Sequence, residues 1–172
     1  RGAKALAIVN VVGSTIAKIA DYTLYTWAGP EIAVATTKGY TTQLTVLYLF
    51  ALYAAKSLGT VNGKEYKRLL TALRCLPKQM QAALDMNPAI PALAKKYHDS
   101  PSMFFIGRNT DYAVALEGAL KMKEISYIHA ESYAAGELKH GTISLIEPGT
   151  LVVALAAYEP LVEKMRSNIV EV

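Results

Sequence analysis

With one cysteine, Cys75, the chain can close no disulfide within itself, so a reducing, cytoplasmic setting is expected. Leu73 and Leu76 flank Cys75, which predicts a small buried thiol, inert because burial disfavours the thiolate. No cluster of histidine and cysteine has metal-ligand spacing, so neither a metal nor a cofactor is expected. Long hydrophobic runs are also missing. The most apolar stretch, LTVLYLFALYAA at 44–55, falls short of the roughly twenty residues a membrane span needs. Bounded by Gln43 and Lys56, it predicts a buried helix and no membrane partner. No secretion signal opens the chain. The net charge of +4 does not gather into a stripe: basic residues come singly or in pairs, such as Lys67-Arg68 and Lys95-Lys96, without interleaved aromatics. That pattern speaks against nucleic acid.

What is present describes a well-buried globular protein, with 52% hydrophobic and 19% charged residues. ALAIVNVV (5–12) predicts a strand buried on both faces of a parallel sheet, with Ser14 or Thr15 as the N-cap of a following helix. YTLYT (22–26) predicts a second strand. Turn chemistry at Gly29-Pro30 and a threonine-rich entry then lead into a long apolar helix ending near Ser57. From 64 to 98 two or three helices are expected, punctuated by Pro77, Pro88 and Pro91. MFFIG (103–107) and LVVALAA (151–157) predict buried strands, with a strong helix at 110–128 and a last one that has Pro160 in its first turn. Strands alternating with helices mean βαβ units, a parallel sheet and a three-layer αβα sandwich of α/β class. The pattern occurs twice, each time incompletely. Both ends look cut, as in a fragment of a longer protein.

Three polar stretches break this frame. On the helix at 110–128, Glu117, Lys121 and Glu124 stand at i, i+4 and i+7 and share a face. One reading is a solvated ion-pair face. The other is a general base, Glu124, with Lys121 holding it ionised or holding a substrate oxygen; a carboxylate so placed suits proton transfer between two carbons beside a carbonyl. ESYAAGELKHG (131–141) gathers ionisable residues among alanines and glycines small enough to let the backbone pass close to a ligand or a neighbouring chain. Within it His140 is either an exposed side chain or a proton carrier suited to neutral pH. His98 and His129 are expected to be structural. AVATTKGYTT (33–42) offers backbone N–H groups and hydroxyls at a helix start, either for an N-cap or for an oxyanion or sugar.

ALEGALKMKEISYIHAESYAAGELKHGTISLIEPGT (115–150) and AGPEIAVATTKGYTTQLTVLYLF (28–50) closely resemble, in order, two segments of the isomerase half of the glutamine–fructose-6-phosphate aminotransferase family. The resemblance covers nearly the whole chain. TTK at 36–38, where the family usually has Ser-Thr-Lys, keeps the hydroxyl. It implies parts of two tandem sugar-isomerase (SIS), flavodoxin-like subdomains: residues 1–60 the C-terminal part of the first, and 61–172 linker helices and the N-terminal part of the second. It implies conversion of fructose 6-phosphate and glutamine to glucosamine 6-phosphate and glutamate. Carried over residue by residue, Glu124 matches the base that moves a proton between C1 and C2, and Lys121 the lysine beside it. His140 matches the ring-opening histidine, which in the family crosses to the other subunit of a homodimer. Val34, Ala35 and Thr36 match a loop that contacts the sugar.

The family's Ser-x-Ser-Gly-x-Thr phosphate loop, its C-terminal imine-forming lysine and its glutaminase domain have no counterpart in the sequence, so this polypeptide alone is expected to be inactive. The rival readings are a SIS deglycase acting on sugar-amine phosphates, which would keep Glu124 and change the sugar loop, a non-catalytic sugar-phosphate sensor, and an interaction scaffold.

Overall fold

The computed structural model describes residues 2–172. Two compact units form, Arg1–Pro88 and Ala89–Val172.

In the first unit, strands β1 (Leu6–Val9) and β2 (Tyr22–Tyr25) run parallel, with Leu6 opposite Tyr22 and Val9 opposite Tyr25, joined by the short helix α1 (Thr15–Ile19). Ser14 is the N-cap, its hydroxyl accepting from the Ala17 N–H at 3.4 Å, as expected for a serine placed before a helix. The run 5–12 yields a strand of only four residues, because Gly13 takes a positive φ and the Ser14 N–H closes a turn on the Val11 carbonyl. Ala7 is its one buried residue, so β1 is not covered on both faces.

Helix α2 (Lys38–Ser57) contains the apolar run yet has no buried residue; Leu47 is 45% and Tyr53 68% exposed. The expectation of a buried helix fails because β1 and the next helix, α3 (Gly63–Leu84), cover only part of its circumference. Asn62 caps α3 by accepting from the Glu65 N–H at 2.9 Å. Pro77 lies inside α3 and does not end it. A proline there removes one backbone hydrogen bond, which 22 residues of well-capped helix on an exposed surface can absorb. Cys75 is exposed, contrary to expectation. On a helix Leu73 and Leu76 are i,i+3 neighbours that line a cleft against α2, whereas Cys75 points off that stripe.

The second unit begins with α4 (Ile90–Tyr97), which has Pro91 in its first turn. Its sheet has the order β4-β3-β5, all parallel, with β3 (Ser102–Gly107) central between β4 (His129–Ala134) and β5 (Leu151–Ala154). Alternate residues of β3 feed two cores. Met103 and Phe105 pack with Ala115, Ala119 and Ala130 under α5 (Thr110–Ser126); Ile106 packs with Ala135, Leu138 and Met165, the last from α6 (Val162–Glu171). Helices on both faces of a parallel sheet make the expected three-layer α/β/α arrangement. Strand β4 falls largely within the polar stretch 131–141, where the sequence pattern shows no strand. Among the described residues no helix is long and apolar enough to cross a membrane.

Candidate active site

Helix α5 rides low on the sheet. A β-carbon at Gly118 would come within 3.1 Å of the Phe105 ring, and Ala115 and Ala119 are fully enclosed. Small residues on the inner face thus seat the helix and leave its flank for Glu117, Lys121 and Glu124, whose side chains are 22%, 19% and 28% exposed. Lys121 Nζ lies 2.5 Å from Glu124 Oε2 and 3.6 Å from Glu117 Oε1. The hydrogen bond to Glu124, with Glu117 adding attraction, raises the Lys121 ammonium above its usual range, so it is charged throughout neutral pH. The face is partly screened from water, although Glu124 remains an exposed residue. One cation sits between two carboxylates in partial shelter from water, able to hold a developing negative oxygen while a carboxylate beside it takes a proton.

His140 ends a single 3₁₀ turn, Leu138–His140, just past β4. Ala135 and Leu138, both essentially fully buried, root this segment in the core, while His140 itself is exposed. The Ala135 N–H donates to Gly107 O at 2.9 Å, and the His140 N–H to Glu137 O at 3.0 Å. His140 makes no hydrogen bond to Lys121 or Glu124 among the described residues. At the carboxyl edge of the same sheet, Asp111 is buried and its Oδ2 accepts from the N–H groups of Ala157 (2.8 Å) and Tyr158 (2.9 Å), which ends β5 sooner than the run 151–157 implies.

Val34, Ala35 and Thr36 lie in the first unit, on the loop before α2. Val34 is 94% exposed; Ala35 and Thr36 are half-buried. The threonine-rich helix start does not present free groups as expected. Thr41, Thr42 and Thr45 turn their hydroxyls onto backbone carbonyls of their own helix. Thr37, at the N-cap, makes no capping bond. Glu31 caps instead: its carboxylate accepts from the Gly39 N–H at 3.0 Å and from the Thr36 hydroxyl at 3.3 Å. Lys38 Nζ donates to Pro30 O at 2.7 Å, closing the loop. Asn10, at the carboxyl end of β1, accepts from the Thr26 hydroxyl and the Ala28 N–H and donates to Gly29 O. With Gly29, Pro30 and Glu31 it lines a cleft of about 510 Å³ beyond the strand ends, where open α/β sheets bind ligands. Asn10, Glu31 and Asp111 shape these edges yet give no signal in the sequence beyond standing next to a predicted strand or helix end.

The second unit is thus a parallel α/β sandwich with an ion-paired carboxylate on the flank of one helix. The SIS domain model matches residues 1–53 and 96–170, and the chain belongs to that family. It is 55% identical over all 172 residues to glutamine–fructose-6-phosphate aminotransferase (isomerizing) of Clostridium tetani, and 54% identical over 167 residues to the Methanosarcina acetivorans protein of the same name. It covers 28% and 27% of those proteins, a little over a quarter of their length. The C-terminal domain of glucosamine-fructose-6-phosphate aminotransferase from Francisella tularensis superposes with a TM-score of 0.94 at 37% identity, over 96% of this chain and 46% of that one.

Proposed function

We propose that this chain is part of the isomerase half of an enzyme that converts fructose 6-phosphate and glutamine to glucosamine 6-phosphate and glutamate. In this reading residues 1–60 belong to one SIS subdomain, and 61–172 supply linker helices and the start of a second. Glu124 takes the proton from C1 of the open-chain sugar and returns it at C2. Lys121, charged and 2.5 Å away, stabilises negative charge on the neighbouring oxygen. His140 opens the sugar ring, moving a proton at the ring oxygen, and reaches the site of the other subunit in a homodimer. Val34, Ala35 and Thr36 contact the sugar. A glutaminase domain outside this chain releases the ammonia, and the enzyme works in the cytoplasm.

The observation that carries the reading is the sheltered Glu117–Lys121–Glu124 cluster, which proton transfer needs and a sensor has no use for. The shared name of relatives at 55% and 54% identity favours it over a deglycase. The test is product formation by the full-length protein carrying this sequence, given fructose 6-phosphate and glutamine. Wild type is expected to make glucosamine 6-phosphate. Glu124→Gln, which keeps the shape and removes the base, is expected to lose about a hundredfold or more in kcat. Sugar-phosphate binding without product in the wild type would hand the site to a sensor.

A further inference from the structure

We infer that Arg108 is a positioning residue for the turn that carries His140, an inference that rests on the reading of His140 as the ring-opening residue. Arg108 is the first residue after β3, at the carboxyl edge of the sheet. Its Nε donates to Asn168 Oδ1 at 2.9 Å. Asn168, on α6, is 5% exposed, and its own amide donates to Glu171 Oε2 at 3.0 Å, so the acceptor is held in place. That anchor leaves the far end of the guanidinium lying on Gly136. A β-carbon at Gly136 would come within 3.0 Å of Nη2, 3.1 Å of Nη1 and 3.3 Å of Cζ. Among the described residues no carboxylate forms a salt bridge with Arg108, so ion pairing does not explain its placement.

Gly136 stands four residues before His140, between the buried anchors Ala135 and Leu138. The Glu137 N–H donates to Ala134 O at 2.8 Å and the His140 N–H to Glu137 O at 3.0 Å, so two successive hydrogen-bonded turns link Gly136 to His140. Core side chains fix the turn from below and the guanidinium packs against its backbone. A flat, rigid, permanently charged group suits that surface, and a lysine ammonium on a flexible stem cannot replace it. Arg108 has no contact with a reacting atom in this account; it sets where His140 stands, and misplacement by about 1 Å is enough to cost about a hundredfold in rate.

The test is a double-mutant cycle in the full-length protein, read as kcat and KM for fructose 6-phosphate, with thermal unfolding to confirm that each variant folds. Arg108→Ala is expected to lower kcat about tenfold or more, with KM within about threefold. In a His140→Ala background the same change is expected to cost less than about twofold, because the residue it positions is gone. Arg108→Lys should restore little. Gly136→Ala offers an independent route: it should lower kcat when Arg108 is present and have little further effect when Arg108 is already alanine. Equal losses with and without His140 would make Arg108 a general structural residue and overturn the inference, as would full kcat in Arg108→Ala or Gly136→Ala. A wild type that makes no product would instead bring down the proposed function, a different and separable result.

Discussion

Lys121 sits between two carboxylates, and its charge is what makes this helix face a candidate site. The bond to Glu124 raises its pKa, so on the alkaline side the pairing persists past the ordinary lysine value of 10.5 and is lost only as pH rises through the raised one. A second short-range pairing lies on β4. Tyr133 donates its phenol proton to Glu131, which also faces His129 at 3.2 Å. This bond holds the Glu131 carboxyl below its ordinary 4.5 and the Tyr133 phenol above its ordinary 10.0. Its stabilising effect is therefore complete between about pH 4.5 and pH 10; it fades as pH falls through the lowered glutamate value or rises through the raised tyrosine value. Tyr133→Phe is expected to cost about 1 kcal/mol at pH 7, less than a fully buried bond to a charged group because Glu131 is over a third exposed. Melting temperatures across pH should show the two proteins furthest apart between about pH 5 and 9, converging as pH falls through the lowered Glu131 value or rises through the raised Tyr133 value. A constant gap at all pH values would mean that the lost hydroxyl acts through packing.

At the scale of elements, the strand β3 and helix α5 were legible because their chemistry is of one kind: an apolar run closed by glycine, then a long stretch of apolar and charged residues at helical spacing. The β3–α5 junction also explains Gly107. A β-carbon there would lie 2.6–2.7 Å from backbone atoms of Asp111 and Tyr112, so the first turn of α5 rests directly on the strand end. Backbone cannot swing aside as a side chain can, and Gly107→Ala should cost about 3 kcal/mol or more, measured by denaturant unfolding. A loss under about 0.5 kcal/mol would show that the junction gives way easily. Strand β4 was not legible. Its α5-facing residues are the small Ala130, Ser132 and Ala134, and its other face carries His129, Glu131 and Tyr133, so neither face reads as a β-rich hydrophobic stripe. Its pairing with β3 is a tertiary fact that no local window contains. Cys75 and Pro77 misled for the opposite reason: their neighbours in sequence are apolar or helix-breaking, but exposure and continuity on α3 are decided by which way each residue faces and how well the helix is capped.

For the whole molecule, the two units differ in kind. Nearly all buried hydrophobic side chains among the described residues lie in Ala89–Val172, while the first unit buries only Ala7 and shows aromatic surface on β2, just past it and on α2, with Tyr22 at 61%, Trp27 at 76% and Tyr53 at 68% exposure. A two-stranded sheet encloses little volume, so such a unit gains little from burial. The candidate residues divide along the same line: Lys121, Glu124 and His140 stand on the well-packed unit, where a side chain can be held to the tolerance that proton transfer demands, and Val34, Ala35 and Thr36 on the loop-rich one. Residue types and spacing made the Glu117–Lys121–Glu124 face visible from the sequence; its degree of shelter, and the supports at Asn10, Glu31, Arg108 and Asp111, depend on which chain segments meet.

The central claim is that Glu124 moves the proton at the sugar carbon beside the carbonyl. Fructose 6-phosphate carrying deuterium at C1 tests it directly in the full-length protein, by following the loss of label from C1, whether it reappears at C2 or in water. Wild type should lose the label at the rate of turnover, and Glu124→Gln about a hundredfold or more slowly with sugar-phosphate binding preserved. Label leaving C1 at the wild-type rate in Glu124→Gln would contradict the account and return Glu124 to the role of a paired charge on a helix flank.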